Sequence, residues 1–254
     1  MKKFVSLLGL LIFLAWVAYT QEAAPVKSGI NQFDDDSIKQ GYWEETNNRI
    51  TSTGYYADGE RDGSWIVYHP NKIINWVKVY KNGKRDGVFV EIDKKGYLIS
   101  ESHFKGDMLQ GPKKKYERGS RLILEENYNN GNLDGVKKAF YSTGKAQEES
   151  FYVDGLKSGI SKWYNQAGKV IAEYNYKNGM FEGIQKTFHA DGTLMSEEMY
   201  IENGRDGIYK EYFQDGKVKV EGAFKKNLKD GIWKEYDQRG KLLSEIKFKK
   251  GNPK

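Results

Sequence analysis

The chain has 254 residues, 38% of them hydrophobic and 30% charged, with 18 Tyr, 12 Phe and 6 Trp. That balance is too polar for a bundle of membrane helices and too aromatic for a disordered polymer, so a folded chain is expected. A formal net charge of +6 is too small to indicate nucleic acid, and the absence of cysteine excludes disulfides, thiolate metal sites and a lipid-modified cysteine.

At the N-terminus, Lys2 and Lys3 precede an apolar run from Phe4 to Val17, after which Ala18, Tyr19 and Thr20 lead into the polar Gln21 and Glu22. Charge, apolar stretch and small residues in that order predict a secretory signal over residues 1–20, cleaved after Thr20. The apolar run is shorter than the ~20 residues that span a bilayer. The expected destination is therefore the periplasm, the cell envelope or the medium. Loss of Lys2 and Lys3 would reduce the net charge from +6 to +4. Residues 21–40 read as a polar linker.

From residue 41 the chain repeats. Glycine recurs every 24 residues at Gly63, Gly87, Gly111, Gly135, Gly159, Gly183, Gly207 and Gly231. These anchors define eight units over 63–254, preceded by a partial unit over 41–62. Four residues before each anchor stand Gly59, Gly83, Asp107, Gly131, Gly155, Gly179, Asn203 and Asn227. Only residue types that tolerate positive φ occur in this column, which marks a left-handed turn position. Strings such as YKNGKRDG therefore read as turns, with the anchor glycines as structural turn residues. A second turn is expected nine residues after the anchor, at Gly96, Gly144, Gly168, Gly192, Gly216 and Gly240, with Lys72 and Ser120 as exceptions.

Between turns the segments are short and aromatic, which suits two strands per unit and leaves no room for a helix. Apolar residues fill position 1 after the anchor (Val88, Val136, Ile160, Ile184), and aromatics dominate position 5 (Tyr68, Phe140, Tyr164, Tyr212). Position 11 is mostly aliphatic (Leu98, Leu122, Val170), and position 17 is always aromatic (Tyr80, Phe104, Tyr128, Tyr152). All four offsets are odd, so alternation places them on one face unless a bulge intervenes. The predicted fold is all-β: an elongated, twisted single antiparallel sheet built from 24-residue β-hairpin repeats.

The segments YKNGKRDGVF, YVDGLKSGISKWY and FKKNLKDGIWKEY resemble the MORN-repeat family in its bacterial variant form. The likeness covers roughly residues 41–254 and brings no catalytic residues. It implies an elongated β-sheet used for protein or lipid contact, and bacterial relatives of this kind are often labelled antitoxin components of toxin–antitoxin systems. An export signal fits poorly with a cytoplasmic antitoxin.

No catalytic motif accompanies the repeats, so a non-enzymatic chain without cofactor or metal is expected. His69, His103 and His189 share no metal-ligand spacing, and there is no nucleophile elbow, phosphate loop or dinucleotide fingerprint. Asp62, Asp86, Asp134, Asp206 and Asp230 read as turn stabilisers. Glutamate recurs at Glu101, Glu125, Glu149, Glu173, Glu197, Glu221 and Glu245, and lysine at Lys114, Lys138, Lys162, Lys186, Lys210 and Lys234. These two columns are expected to pair across strands if the register brings them together. Recognition should lie where units differ. Lys113, Lys114 and Lys115 in one unit with Lys137 and Lys138 in the next form a candidate basic patch, near Arg118 and Arg121, although alternation divides the run between faces. Trp65, Trp163, Tyr209 and Trp233 occupy variable positions, with Trp163 the candidate partner anchor. The expected function is that of an exported binding or scaffold module for a protein or envelope component, anionic lipid or polymer included. The alternative is an antitoxin-like protein that neutralises a partner toxin.

Overall fold

The computed structural model describes residues 29–117 and 119–254. The expected signal segment and Arg118 lie outside the described residues. The described chain divides into two compact units: an N-terminal one up to Gly111 with Glu117–Ser120, and a C-terminal one comprising Pro112–Tyr116 and Arg121–Lys254. Each is all-β, an antiparallel succession of hairpins without a helix among the described residues. The segment read as a linker is partly strand. Gln32–Phe33 pairs with the start of Lys39–Asn47, and the Phe33 ring meets Trp43 edge-on at 5.0 Å. A two-residue strand carries too little periodicity to be read from sequence.

Two kinds of turn alternate. At one end of each hairpin, two successive residues have positive φ, as at Asn82 (48°) and Gly83 (74°), Glu202 (48°) and Asn203 (66°), and Lys226 (49°) and Asn227 (67°). This is the type I′ pattern, whose twist matches that of the flanking strands. The carboxylate just before the anchor caps the next such turn: Asp62 accepts from Asn82 N at 3.1 Å, and Asp206 from Lys226 N at 3.3 Å. At the other end, three residues bridge the strands and the third is left-handed. Lys72 (65°) and Ser120 (66°) adopt that conformation beside the glycines of the same column. The hairpin of Lys39–Asn47 with Ile50–Ala57 differs, because Asn48 (48°) and Arg49 (66°) make a two-residue turn where later units use the longer one. That accounts for the shorter partial unit.

The anchor glycines are not turn residues. Gly63 and Gly87 lie inside the strands Glu60–Tyr68 and Lys84–Ile92, and they mark bulges. Lys78 pairs with Phe89 and Tyr80 with Arg85, so Val79 alone faces the stretch Asp86, Gly87 and Val88. A Cβ on Gly87, at φ 123°, would approach Val79 Cβ to 2.9 Å. Positive φ and close backbone approach together require glycine there. The 24-residue mark in the sequence is therefore the bulge, and the reversal comes four residues earlier.

Bulges also redistribute the odd columns. Position 5 pairs with position 11 and position 4 with position 13, as in Tyr68 with Ile74 and Val67 with Trp76, leaving Asn75 unopposed. The extra residue at position 12 resets the alternation of the second strand. Positions 1, 5 and 11 share one face, and the aromatic column at position 17 lies on the other, opposite the anchor. The single-face expectation fails for this reason.

The two faces have different chemistry. One, here the ladder face, carries positions 3 and 14. In the C-terminal unit Lys138, Lys162, Lys186, Lys210 and Lys234 stand directly opposite Glu149, Glu173, Glu197, Glu221 and Glu245. Glu125, Glu149, Glu173, Glu197 and Glu221 also face the lysine of the following strand, as Glu173 does Lys186, so the charges alternate from strand to strand. In the N-terminal unit the same positions hold Thr53, Ile66, Val77 and Val90 in successive opposition. Val77, Val90 and Ile92 are buried there, with Ile73, Ile74, Val88 and Leu98 against them. The opposite, ring face carries positions 2, 15 and 17 together with the residue two before the anchor.

Candidate binding surface

The ring face is built by position 2, an even offset that the odd-column pattern passes over: Trp43, Trp65, Phe89, Lys113, Lys137, Ser161, Gln185, Tyr209 and Trp233. Where it is tryptophan in a full unit, the preceding position 15 is glycine. Trp65 lies over Gly54 and Trp233 over Gly222, each ring so close that an added Cβ would fall 2.3 Å from it. Each indole N–H then donates to the next carbonyl, Trp65 to Tyr55 O at 3.0 Å and Trp233 to Ala223 O at 3.1 Å. Trp65 is fully buried, and Trp233 is 6% exposed. Both are structural rings with their polar handle satisfied.

Cations two residues before the anchor cover the neighbouring rings. Arg61 lies 4.2 Å from the Trp65 centroid, Arg85 4.3 Å from Phe104, Arg205 5.0 Å from Phe224 and Lys229 4.1 Å from Trp233. Such contacts stabilise by roughly 0.5–1 kcal/mol each at exposed sites.

The lysine run is divided by alternation. Lys114 and Lys138 belong to the ladder face, 3.8 Å from Glu125 and 3.0 Å from Glu149. The Glu149 carboxylate raises Lys138 above the ordinary lysine range. Lys113 and Lys137 belong to the ring face. Lys113 lies 5.6 Å from the Tyr128 centroid, and Lys137 joins Lys157 around Glu148 at 3.9 and 3.3 Å. Burial pushes Glu148 up, but the Ser150 hydroxyl and the two ammoniums outweigh it and hold the carboxyl below its usual range. Lys115 is exposed, on the ring-face side by alternation. The five lysines therefore do not form one patch, and four of them are engaged with acids or a ring.

Trp163 is half-buried on the ring face at position 4. Its ring contacts Tyr174 at 5.1 Å, Tyr174 contacts Phe181 at 5.4 Å, and Phe181 contacts Tyr200 at 5.5 Å. Beside the last three lies a cleft of about 170 Å³. Gln185 forms part of its floor, with its amide committed to the backbone of Asn175 and Gly183. Thr187 and Ser196 complete the floor and bond each other at 2.5 Å. Glu198 stands at its side, 3.0 Å from Arg205 Nε. Of these residues sequence reasoning singles out only Trp163 as a candidate. The signal for the rest was the change of residue type at position 2 and at the cation position, which Phe181 occupies here.

Among the described residues no three acidic or histidine side chains gather as metal ligands would. No curated protein matches the chain. Among solved structures, the Photorhabdus luminescens Tc holotoxin pore is similar at 11% identity and a TM-score of 0.17, over 87% of this chain and 16% of that one. The family described as MORN repeat variant matches residues 157–178, 181–202, 205–226 and 229–250, four consecutive segments in the 24-residue register. The hairpin, bulge and ring pattern of those segments recurs in the units before them, and residues 157–250 are four consecutive repeats of the MORN variant type.

Proposed function

We propose that the chain is a non-catalytic binding and scaffold module, exported to the cell envelope, whose partner is a protein or an envelope component. Repeat-based binding is the general role of such an array. The observation that carries the finer reading is the contrast between columns. In the C-terminal unit the ladder face repeats lysine against glutamate in each hairpin from Lys138 to Glu245, whereas the ring face changes at position 2 from Lys137 to Ser161, Gln185, Tyr209 and Trp233. Invariant columns maintain register, and changing ones are free to discriminate between partners. Export rests on the order of residues 1–20 and is tested by the mass of the native protein, which should begin at Gln21.

Chemical crosslinking in the native envelope followed by affinity purification tests the partner. Capture of an envelope protein or polymer, lost on substitution of ring-face residues, supports the proposal. Recovery of one stoichiometric growth-inhibiting protein in the cytosol would favour the antitoxin reading instead.

A further inference from the structure

In the repeats at Gly63 and Gly231, position 2 supplies a tryptophan that fills the ring face over a glycine. In the repeat at Gly183 that position is Gln185, and the glycine's place is taken by Tyr174, which stands as a wall. The cation that lies over a ring at Arg61, Arg85, Lys157, Arg205 and Lys229 is replaced here by Phe181. Three rings thus surround a space that this repeat does not fill with a ring of its own.

The polar groups around that space are unevenly satisfied. Gln185, Thr187 and Ser196 have bonding partners within the sheet. Glu198 is different. Its side chain is 14% exposed, and Oε2 accepts from the Tyr200 hydroxyl at 2.9 Å. Oε1 is buried and ion-paired with Arg205 Nε at 3.0 Å, but the Arg205 N–H donates to the Tyr200 hydroxyl and no donor is directed at Oε1 itself. The ion pair offsets the charge but leaves a lone pair of Oε1 free to accept from a ligand hydroxyl.

A ligand that matches must offer an apolar face to Tyr174, Phe181 or Tyr200 and a hydroxyl edge to Glu198. A volume of about 170 Å³ corresponds to roughly five or six waters, the scale of one small ring and its substituents. We propose that this cleft binds one neutral pyranose residue of a glycan, stacked on the rings with a hydroxyl donating to Glu198 Oε1. The contiguous rings from Tyr174 to Trp163 would carry the next sugar along the chain. A phenylalanine side chain would satisfy the walls but bring no donor to the carboxylate. The proposal rests on the reading of the array as a binding module, and not on its export.

The test is a fluorescence and calorimetric titration of the full chain with cellohexaose, maltohexaose and chitotetraose. At least one should bind saturably and change tryptophan emission. Phe181→Ala and Glu198→Gln should each weaken it by about tenfold or more, as expected for losing a stacking surface or a hydrogen bond to a charged acceptor. The double variant Tyr174→Gly with Gln185→Trp rebuilds the arrangement of Gly222 and Trp233, and should fold while losing the sugar. Circular dichroism melts show whether each variant is folded, and Glu198→Asp keeps the acceptor if Glu198→Gln does not fold. No saturable response to any of the three sugars overturns the proposal, and so does undiminished binding in folded Phe181→Ala and ring-filled variants. If sugars fail while a crosslinked protein is still captured, only the glycan inference falls and the binding-module reading stands.

Discussion

The N-terminal and C-terminal units use the same hairpins and bulges but fill the ladder face in opposite ways. Val77 opposes Ile66 and Val90 in the first, where Glu197 opposes Lys186 and Lys210 in the second. Val77 and Val90 are 5% and 1% exposed, whereas the lysine and glutamate side chains of the C-terminal ladder remain partly in water, at 42% each for Lys138 and Glu149. A pleated face one layer thick is stabilised either by clustering aliphatic groups or by alternating charge. The hairpin register serves both, because cross-strand neighbours are the unit of sheet stability whatever their chemistry. The consequence is a difference in sensitivity. Aliphatic pairs respond to loss of volume or to an inserted charge, and exposed ion pairs respond to salt and pH.

The largest expected effect comes from crossing the two designs. Val77→Glu places a carboxylate between Ile66 and Val90 with no cation opposite, and should destabilise the N-terminal unit by about 3 kcal/mol or more. Adding Ile66→Lys and Val90→Lys copies the arrangement around Glu197 and should recover part of that loss. Hydrogen exchange of peptides spanning Ile74–Lys81 and Lys84–Ile92 reads the outcome locally. If the triple variant is no more protected than the single one, the two ladders are not interchangeable.

The ring face should behave alike in both units, which makes it the control. Gly54→Ala and Gly222→Ala each put a Cβ 2.3 Å from a tryptophan ring, and each should cost about 1–3 kcal/mol as the indole is displaced. Emission of Trp65 or Trp233 should shift towards the solvent-exposed wavelength in the corresponding variant. A large cost at one glycine and none at the other would show that the shared motif is differently supported.

Smaller effects belong to the charged ladder. Glu197→Gln removes the negative charge that stands opposite Lys186 and Lys210 in the register, and Tyr212 Oη donates to the same carboxylate at 2.6 Å. The loss should be about 0.5–1 kcal/mol at low salt and less at ~1 M salt, where screening acts within about 3 Å. Salt should leave the exchange rates around Val77 and Val90 unchanged. The smallest signal is spectroscopic. Burial and the hydrogen bond to Glu197 push the Tyr212 phenol up to about 12. Its folded value therefore lies above the unfolded one of about 10, so its contribution is complete below that and disappears as pH rises towards 12. A tyrosinate absorbance titration should show this late step, and Glu197→Gln should move it to lower pH.

The sequence by itself determined the repeat, the two turn columns and the pairing of lysine with glutamate. The first two depend on residue type at fixed spacing, since positive φ is tolerated by Gly, Asn and Asp, whereas the sequence supplied the opposite charges of the third and the bulge at position 12 brought position 3 opposite position 14. Even the exceptions followed, since Lys72 and Ser120 take the left-handed conformation of their column. Only the tertiary structure decided which face each column occupies. The extra residues opposite Val79, and the unopposed one at Asn75, shift the phase of alternation, and a phase shift cannot be seen in spacing alone. That is why the anchor glycines proved to be bulges, why the lysine run was divided, and why Tyr174, Phe181, Glu198 and Tyr200 came to surround one cleft although they are scattered over two units of sequence. Convergence of side chains across strands depends on register and bulge together, and these are properties of the paired chain.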